Sequence, residues 1–94
     1  MLQKIDTNNV SSDEGFRVSI SVPQMLITYI EGERTAEIEI EGTVAPYGIL
    51  VYADSISRWE PPHTGTAISQ DDRSRILKNV TRALDLLGDT YKVD

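Results

Sequence analysis

Thr35-Ala36-Glu37-Ile38-Glu39-Ile40-Glu41 sets Ala36, Ile38 and Ile40 on one side of an extended chain and Glu37, Glu39 and Glu41 on the other. That period of two predicts a strand with one face in a core and the other in water. Working upstream, Glu31-Gly32-Glu33-Arg34 predicts a hairpin turn into a partner strand, Met25 to Glu31. Both of its alternating sets are largely apolar (Met25, Ile27 and Tyr29 against Leu26, Thr28 and Ile30), which places this strand centrally or leaves it half-exposed for a purpose. Before it, Phe16, Val18, Ile20 and Val22 alternate with Arg17, Ser19 and Ser21, and Pro23 should end that run. Downstream, Gly42 to Gly48 reads as a loop and Ile49-Leu50-Val51-Tyr52 as a short buried strand.

The chain then changes period. Glu60-Pro61-Pro62-His63-Thr64-Gly65-Thr66 must be irregular, because adjacent prolines remove donors and disfavour the α region before them. Ser69 suits a helix N-cap, Asp71 and Asp72 suit the first turn, and Gly88 suits the C-terminal stop. Between them Ile76, Leu77, Val80, Ala83, Leu84 and Leu87 share one helical face. Asp89 to Asp94 is expected to add a last edge strand. The fold expected is therefore α+β, a small antiparallel sheet of about four to five strands with one C-terminal helix packed on one face. Residues 1–15, poor in apolar side chains, are expected to be a flexible N-terminal arm, and 16–94 a single domain.

With 94 residues there is room for one core. The 39% hydrophobic and 26% charged residues suit a globular chain. Nine Lys and Arg against 15 Asp and Glu give a formal charge of −6, which argues against a nucleic-acid partner. No apolar run approaches a membrane span, and no signal pattern opens the chain, so a cytoplasmic protein with no membrane partner is expected. Cysteine is absent, which removes disulfides, thiolate metal sites and a cysteine nucleophile.

Catalytic, metal and cofactor sites find little support, and none is predicted. The single histidine, His63, lies in the proline loop, and Ser55, Asp54 and Glu60 are candidate partners only by being nearby in sequence. The glycines do not fall at phosphate-cradling spacings. Asp71 and Asp72 are explained by helix capping rather than by a metal. The charge pattern is more informative: residues 1–15 carry one base and three acids, 16–68 three bases and seven acids, and 69–94 five of each. Glu31, Glu33, Glu37, Glu39 and Glu41 crowd one hairpin, as a solvated face or as a surface for a cationic partner. With Tyr29, Tyr47 and Tyr52, residue types enriched at binding hot spots, they form the candidate contact set. Arg75, Lys78 and Arg82 read as a solvated helix face. Trp59, Pro61 and Pro62 read as structural, fixing the crossover from sheet to helix.

The stretch from Tyr47 to His63, YGILVYADSISRWEPPH, resembles the immunity protein 74 family of small bacterial proteins. Its most specific part is the tryptophan followed by paired prolines. Ile27-Thr28-Tyr29, the Glu31-Gly32 hairpin, Ile68, Ile76, Asn79, Ala83-Leu84 and Gly88 extend the likeness over residues 25–93. The resemblance implies a non-catalytic immunity protein, monomer or homodimer, that binds and neutralises a cognate polymorphic toxin domain. The alternative reading of the residues is a small-ligand binding or regulatory domain, with a pocket under the Tyr47 to Gly65 loops.

Overall fold

A computed structural model describes residues 1–42, 48–63 and 65–94. Strands β1 (Leu2–Asp6), β2 (Asn9–Ser12), β3 (Phe16–Ser21), β4 (Leu26–Glu31), β5 (Arg34–Gly42) and β6 (Ile49–Val51) precede helix α1 (Gln70–Leu87), and β7 (Tyr91–Val93) follows it. They form one curled sheet in which spatial order follows chain order. Neighbours are antiparallel except β6 and β7, which are parallel because α1 carries the chain across between them.

The expectation of an antiparallel sheet of four to five strands is corrected on both counts: the described residues hold seven strands, and the sheet is mixed. The two additional strands come from the stretch read as an arm. Val10, only 2% exposed, lies opposite Val18, and Leu2 packs against the same core. β1 exposes four of its five side chains and β2 fully buries only Val10, so their apolar content stays low although their backbones pair. Asp6 shapes the turn between them, one carboxylate oxygen accepting from the Asn8 amide and the Asn9 side-chain amide, each at 2.8 Å.

The hairpin between β4 and β5 turns on two residues, Gly32 and Glu33, with Glu31 opposite Arg34. Gly32 has φ 61, the left-handed first position of a type II′ turn. This turn sets the whole register, Ile27 opposite Ile38 and Tyr29 opposite Ala36 on the inner face. In α1, Ser69 accepts from the Asp72 amide and Asp72 accepts in return from the Ser69 amide, a reciprocal cap. Gly88, at φ 80, closes the other end. The helix lays Ile76, Val80, Ala83 and Leu84 on the inner sheet face, against a core of Phe16, Val18, Ile27, Tyr29, Ile38 and Val51.

Trp59 is fully buried in this core where the chain leaves the sheet for the helix. The next amide, that of Glu60, donates to the Thr35 carbonyl on β5 at 2.7 Å, and Arg58 bridges to Ala67 across the base of the loop. The Arg34 guanidinium lies over the indole, 5.7 Å from its centroid. The Pro61–Pro62 peptide bond is cis. Arg73 Nε donates to the Ile56 carbonyl at 3.1 Å, joining the first turns of α1 to the same crossover. Removing the indole leaves a cavity that surrounding backbone restrains from closing. Trp59→Ala should therefore cost about 3 kcal/mol, read as a fall in the urea midpoint with an unchanged slope; an unchanged midpoint would place the ring outside the stabilising core.

Candidate functional site

The two faces of the sheet have different fates. The inner face is closed by α1, and the outer face carries no helix among the described residues. Successive outward side chains are Arg17, Ser19 and Ser21 on β3; Leu26, Thr28 and Ile30 on β4; Thr35, Glu37, Glu39 and Glu41 on β5; and Leu50 on β6, with Tyr52 just beyond. Leu26, Ile30, Leu50 and Tyr52 are half-buried and the three glutamates exposed. The surface therefore combines partly covered apolar groups with a row of carboxylates about 7 Å apart along the strand.

At one end this face deepens into an open trough of about 540 Å³ lined by Gln24, Met25, Leu26, Glu39, Ile40, Glu41 and Tyr52. The strand register creates it, since Leu26 stands opposite Glu39 and the Tyr52 amide donates to the Glu39 carbonyl at 3.0 Å. Met25 enters β4 with φ 54, an unusual conformation for a side chain with a Cβ. Its amide donates to Val22 and its carbonyl accepts from the Ile40 amide, both at 3.1 Å. Tyr52 Oη donates to Glu41 Oε2 at 2.7 Å. That bond pushes the phenol above its ordinary value, and the charges of Glu41, Asp94 and Glu39 act in the same direction. Several carboxylates thus act together on one aromatic wall.

Arg75 and Arg82 of the helix are already engaged elsewhere. Arg75 holds Glu31 through two contacts, Nη2 to Oε1 at 2.8 Å and Nε to Oε2 at 3.0 Å, and also reaches Asp72 at 2.8 Å. Arg82 holds Glu14 at 2.7 and 3.1 Å. Arg75, Lys78 and Arg82, read as a solvated helix face, do remain at least partly exposed, but Arg75 and Arg82 also bind the helix to the sheet and to the turn between β2 and β3.

The predicted contact residues separate accordingly. Glu37, Glu39 and Glu41 lie together on the outer face with Tyr52, and Glu33 is exposed at the hairpin tip. Glu31 is half-buried under Arg75. Tyr29 is corrected from a surface contact to a core residue. Its ring stacks on Phe16 with centroids 5.8 Å apart, and it is fully buried because it occupies the inward set of β4. Tyr47 lies outside the described residues. Met25 and Leu26, which form the trough's apolar side, were not in the predicted set; the two-residue turn that pairs Leu26 with Glu39 is the signal that could have found them. His63 sits half-buried in the crossover loop, its amide donating to the Glu60 carbonyl at 2.9 Å.

With this geometry in view, the model for Immunity protein 74 matches residues 19–94. The chain belongs to the immunity protein 74 family. No curated protein and no solved structure matches it. The family match spans the trough and the outward residues of β4, β5 and β6, and begins within β3, so the β1–β2 hairpin and Arg17 lie before it.

The carboxylates that fasten the helix give the fold a pH dependence. The hydrogen bond from Arg82 holds Glu14 down at about 2 against an ordinary 4.5. Burial pushes Glu31 up, but the bonds from Arg75 and Tyr29 outweigh it and leave it below its ordinary range. Arg75 likewise lowers Asp72. Depressed acids contribute stability that is complete above their ordinary values and lost as pH falls through the folded ones. Urea midpoints should fall from about pH 4.5 towards pH 2, and Glu14→Gln should lower the midpoint modestly at pH 7, where the carboxylate's contribution is complete, and make the acid fall shallower. A variant whose acid limb matched that of the native chain would remove Glu14 from the linkage.

Proposed function

We propose that this chain is a non-catalytic immunity protein that binds a cognate bacterial toxin domain in the cytoplasm and blocks it, docking through the outer face of its sheet. The observation that carries the reading is the sorting of charge within a member of the immunity protein 74 family. Arg75 and Arg82 meet acids of the hairpins on the helix side, while Glu37, Glu39 and Glu41 stay exposed on the face that no helix covers among the described residues. A surface with apolar patches on which three carboxylates outnumber the single base Arg17 favours an oppositely charged protein, and its field raises the encounter rate more than the final affinity. The partner's contact surface is accordingly basic.

The direct test is co-production with the toxin domain encoded beside this chain. Cells making the toxin should survive only when the chain is present, and the two should co-elute; a toxin fully active in the presence of excess chain would overturn the reading. The surface is tested separately by the triple variant Glu37→Gln, Glu39→Gln, Glu41→Gln. Exposed like charges on one strand face do not support folding, so its melting temperature should equal or slightly exceed the native one. Its association rate with the toxin should fall about tenfold at low ionic strength, and the difference should close at high salt. Stopped-flow traces showing native rates at low salt would move the docking site away from this face.

A further inference from the structure

The trough beside Tyr52 has the layout of a socket for one particular side chain. Met25 and Leu26 supply apolar wall, Glu39 and Glu41 stand on the rim, and Tyr52 closes one side with its hydroxyl already fixed on Glu41. A bare metal ion is poorly served there, because much of the lining is hydrocarbon. A second copy of the chain is disfavoured, since each brings a charge of −6. The occupant that matches each part is an arginine. Its methylene stem lies on hydrocarbon, its planar guanidinium has donors on more than one edge to meet two carboxylates, and its π surface stacks on a phenol ring. Lysine offers a single point charge with neither the fork nor the stacking plane.

We propose that this trough is an arginine socket that receives one arginine side chain of the bound protein, stem against Met25 and Leu26 and guanidinium between Glu39 and Glu41 against Tyr52. The proposal rests on the outer face being the docking face, and it names the chemistry that the partner must present there. Glu39 and Glu41 project from the same strand face two residues apart, about 7 Å along the backbone, a span that one guanidinium meets from opposite edges. The socket's shape is held from beneath. The Met25 carbonyl is bonded to the Ile40 amide, and Ser55 Oγ accepts the Glu39 amide at 2.9 Å, so the rim and the wall are fixed to one another through backbone.

The test uses the full chain and a defined probe, the capped tripeptide acetyl-Gly-Arg-Gly-amide, followed by amide NMR shifts. The citrulline peptide serves as the neutral isostere and the lysine peptide as the point charge. Saturable shifts confined to Met25, Leu26, Glu39, Ile40 and Tyr52, absent with citrulline and weaker with lysine, are expected. The double variant Glu39→Gln, Glu41→Gln should weaken arginine binding about tenfold, and Tyr52→Leu should weaken arginine more than lysine. Equal binding of citrulline, equal binding of lysine, or shifts spread equally over Glu33 and Asp85 would overturn the socket. The outcome is separable from the toxin test: protection of cells without arginine binding defeats the socket alone, and arginine binding without protection defeats the immunity reading alone.

Discussion

The hydrogen bond from Asn79 Nδ2 to the Tyr29 hydroxyl, 2.9 Å long and buried between helix and sheet, is the constraint on which the rest of the structure depends. Tyr29 donates onward to Glu31 at 2.7 Å, Arg75 grips Glu31, and Arg82 reaches both Asn79 at 3.4 Å and Glu14. The result is one continuous polar chain from the helix across β4 to the N-terminal hairpin. Burial, followed by the bond to Glu31, pushes the Tyr29 phenol up to about 12, so it remains a neutral donor over any working pH. Because Asn79 lies among Ile76, Val80 and Ala83 on the buried stripe, sliding α1 by one turn would leave the Asn79 amide without its acceptor in the core. The polar pair therefore sets a register that apolar packing alone leaves loose. That register in turn decides where the helix ends, and hence that β7 lands beside β6.

Much of this architecture is legible in the residues. The alternation of Ala36, Ile38 and Ile40 with three glutamates, the reciprocal cap of Ser69 and Asp72, and the stop at Gly88 all act locally, and local chemistry is what a single sequence exposes. The β1–β2 hairpin and the parallel pairing of β7 are not local. Val10 is the one fully inward apolar residue of its strand, and what holds the hairpin is backbone pairing to β3 plus a clamp from Arg82 to Glu14 in the turn between β2 and β3, a contact across 68 positions. No window of composition contains that information. The helix bases illustrate the same gap: spacing places Arg75 and Arg82 on one face, but only the fold brings carboxylates to them.

The candidate site divides along the same line. Strand period alone gathers Glu37, Glu39 and Glu41 on one face, because parity is a property of the strand itself. Tyr29 lies on the opposite face. Both faces of β4 are apolar, so its own pattern does not say which set is inward, and the answer comes from pairing with Ala36 through the Gly32-Glu33 turn. The same pairing puts Leu26 beside Glu39 and so builds the trough. Its apolar wall was thus implicit in the turn length, while the left-handed Met25 that shapes its far side follows from no propensity of methionine.

Separating the charges by face has a consequence for how folding and recognition can coexist in so small a chain. Acids that bind arginines of the helix are part of the fold, and altering them changes stability. Acids on the outer face of β5 alternate with core residues on the same nine-residue strand, yet the pleat keeps the two sets from touching. Ile38 and Ile40 can hold the core whatever Glu37, Glu39 and Glu41 become, provided the replacements keep the strand extended. A surface built this way can change one side chain at a time, with the Tyr29–Asn79 bond and its attached network holding the frame unchanged behind it.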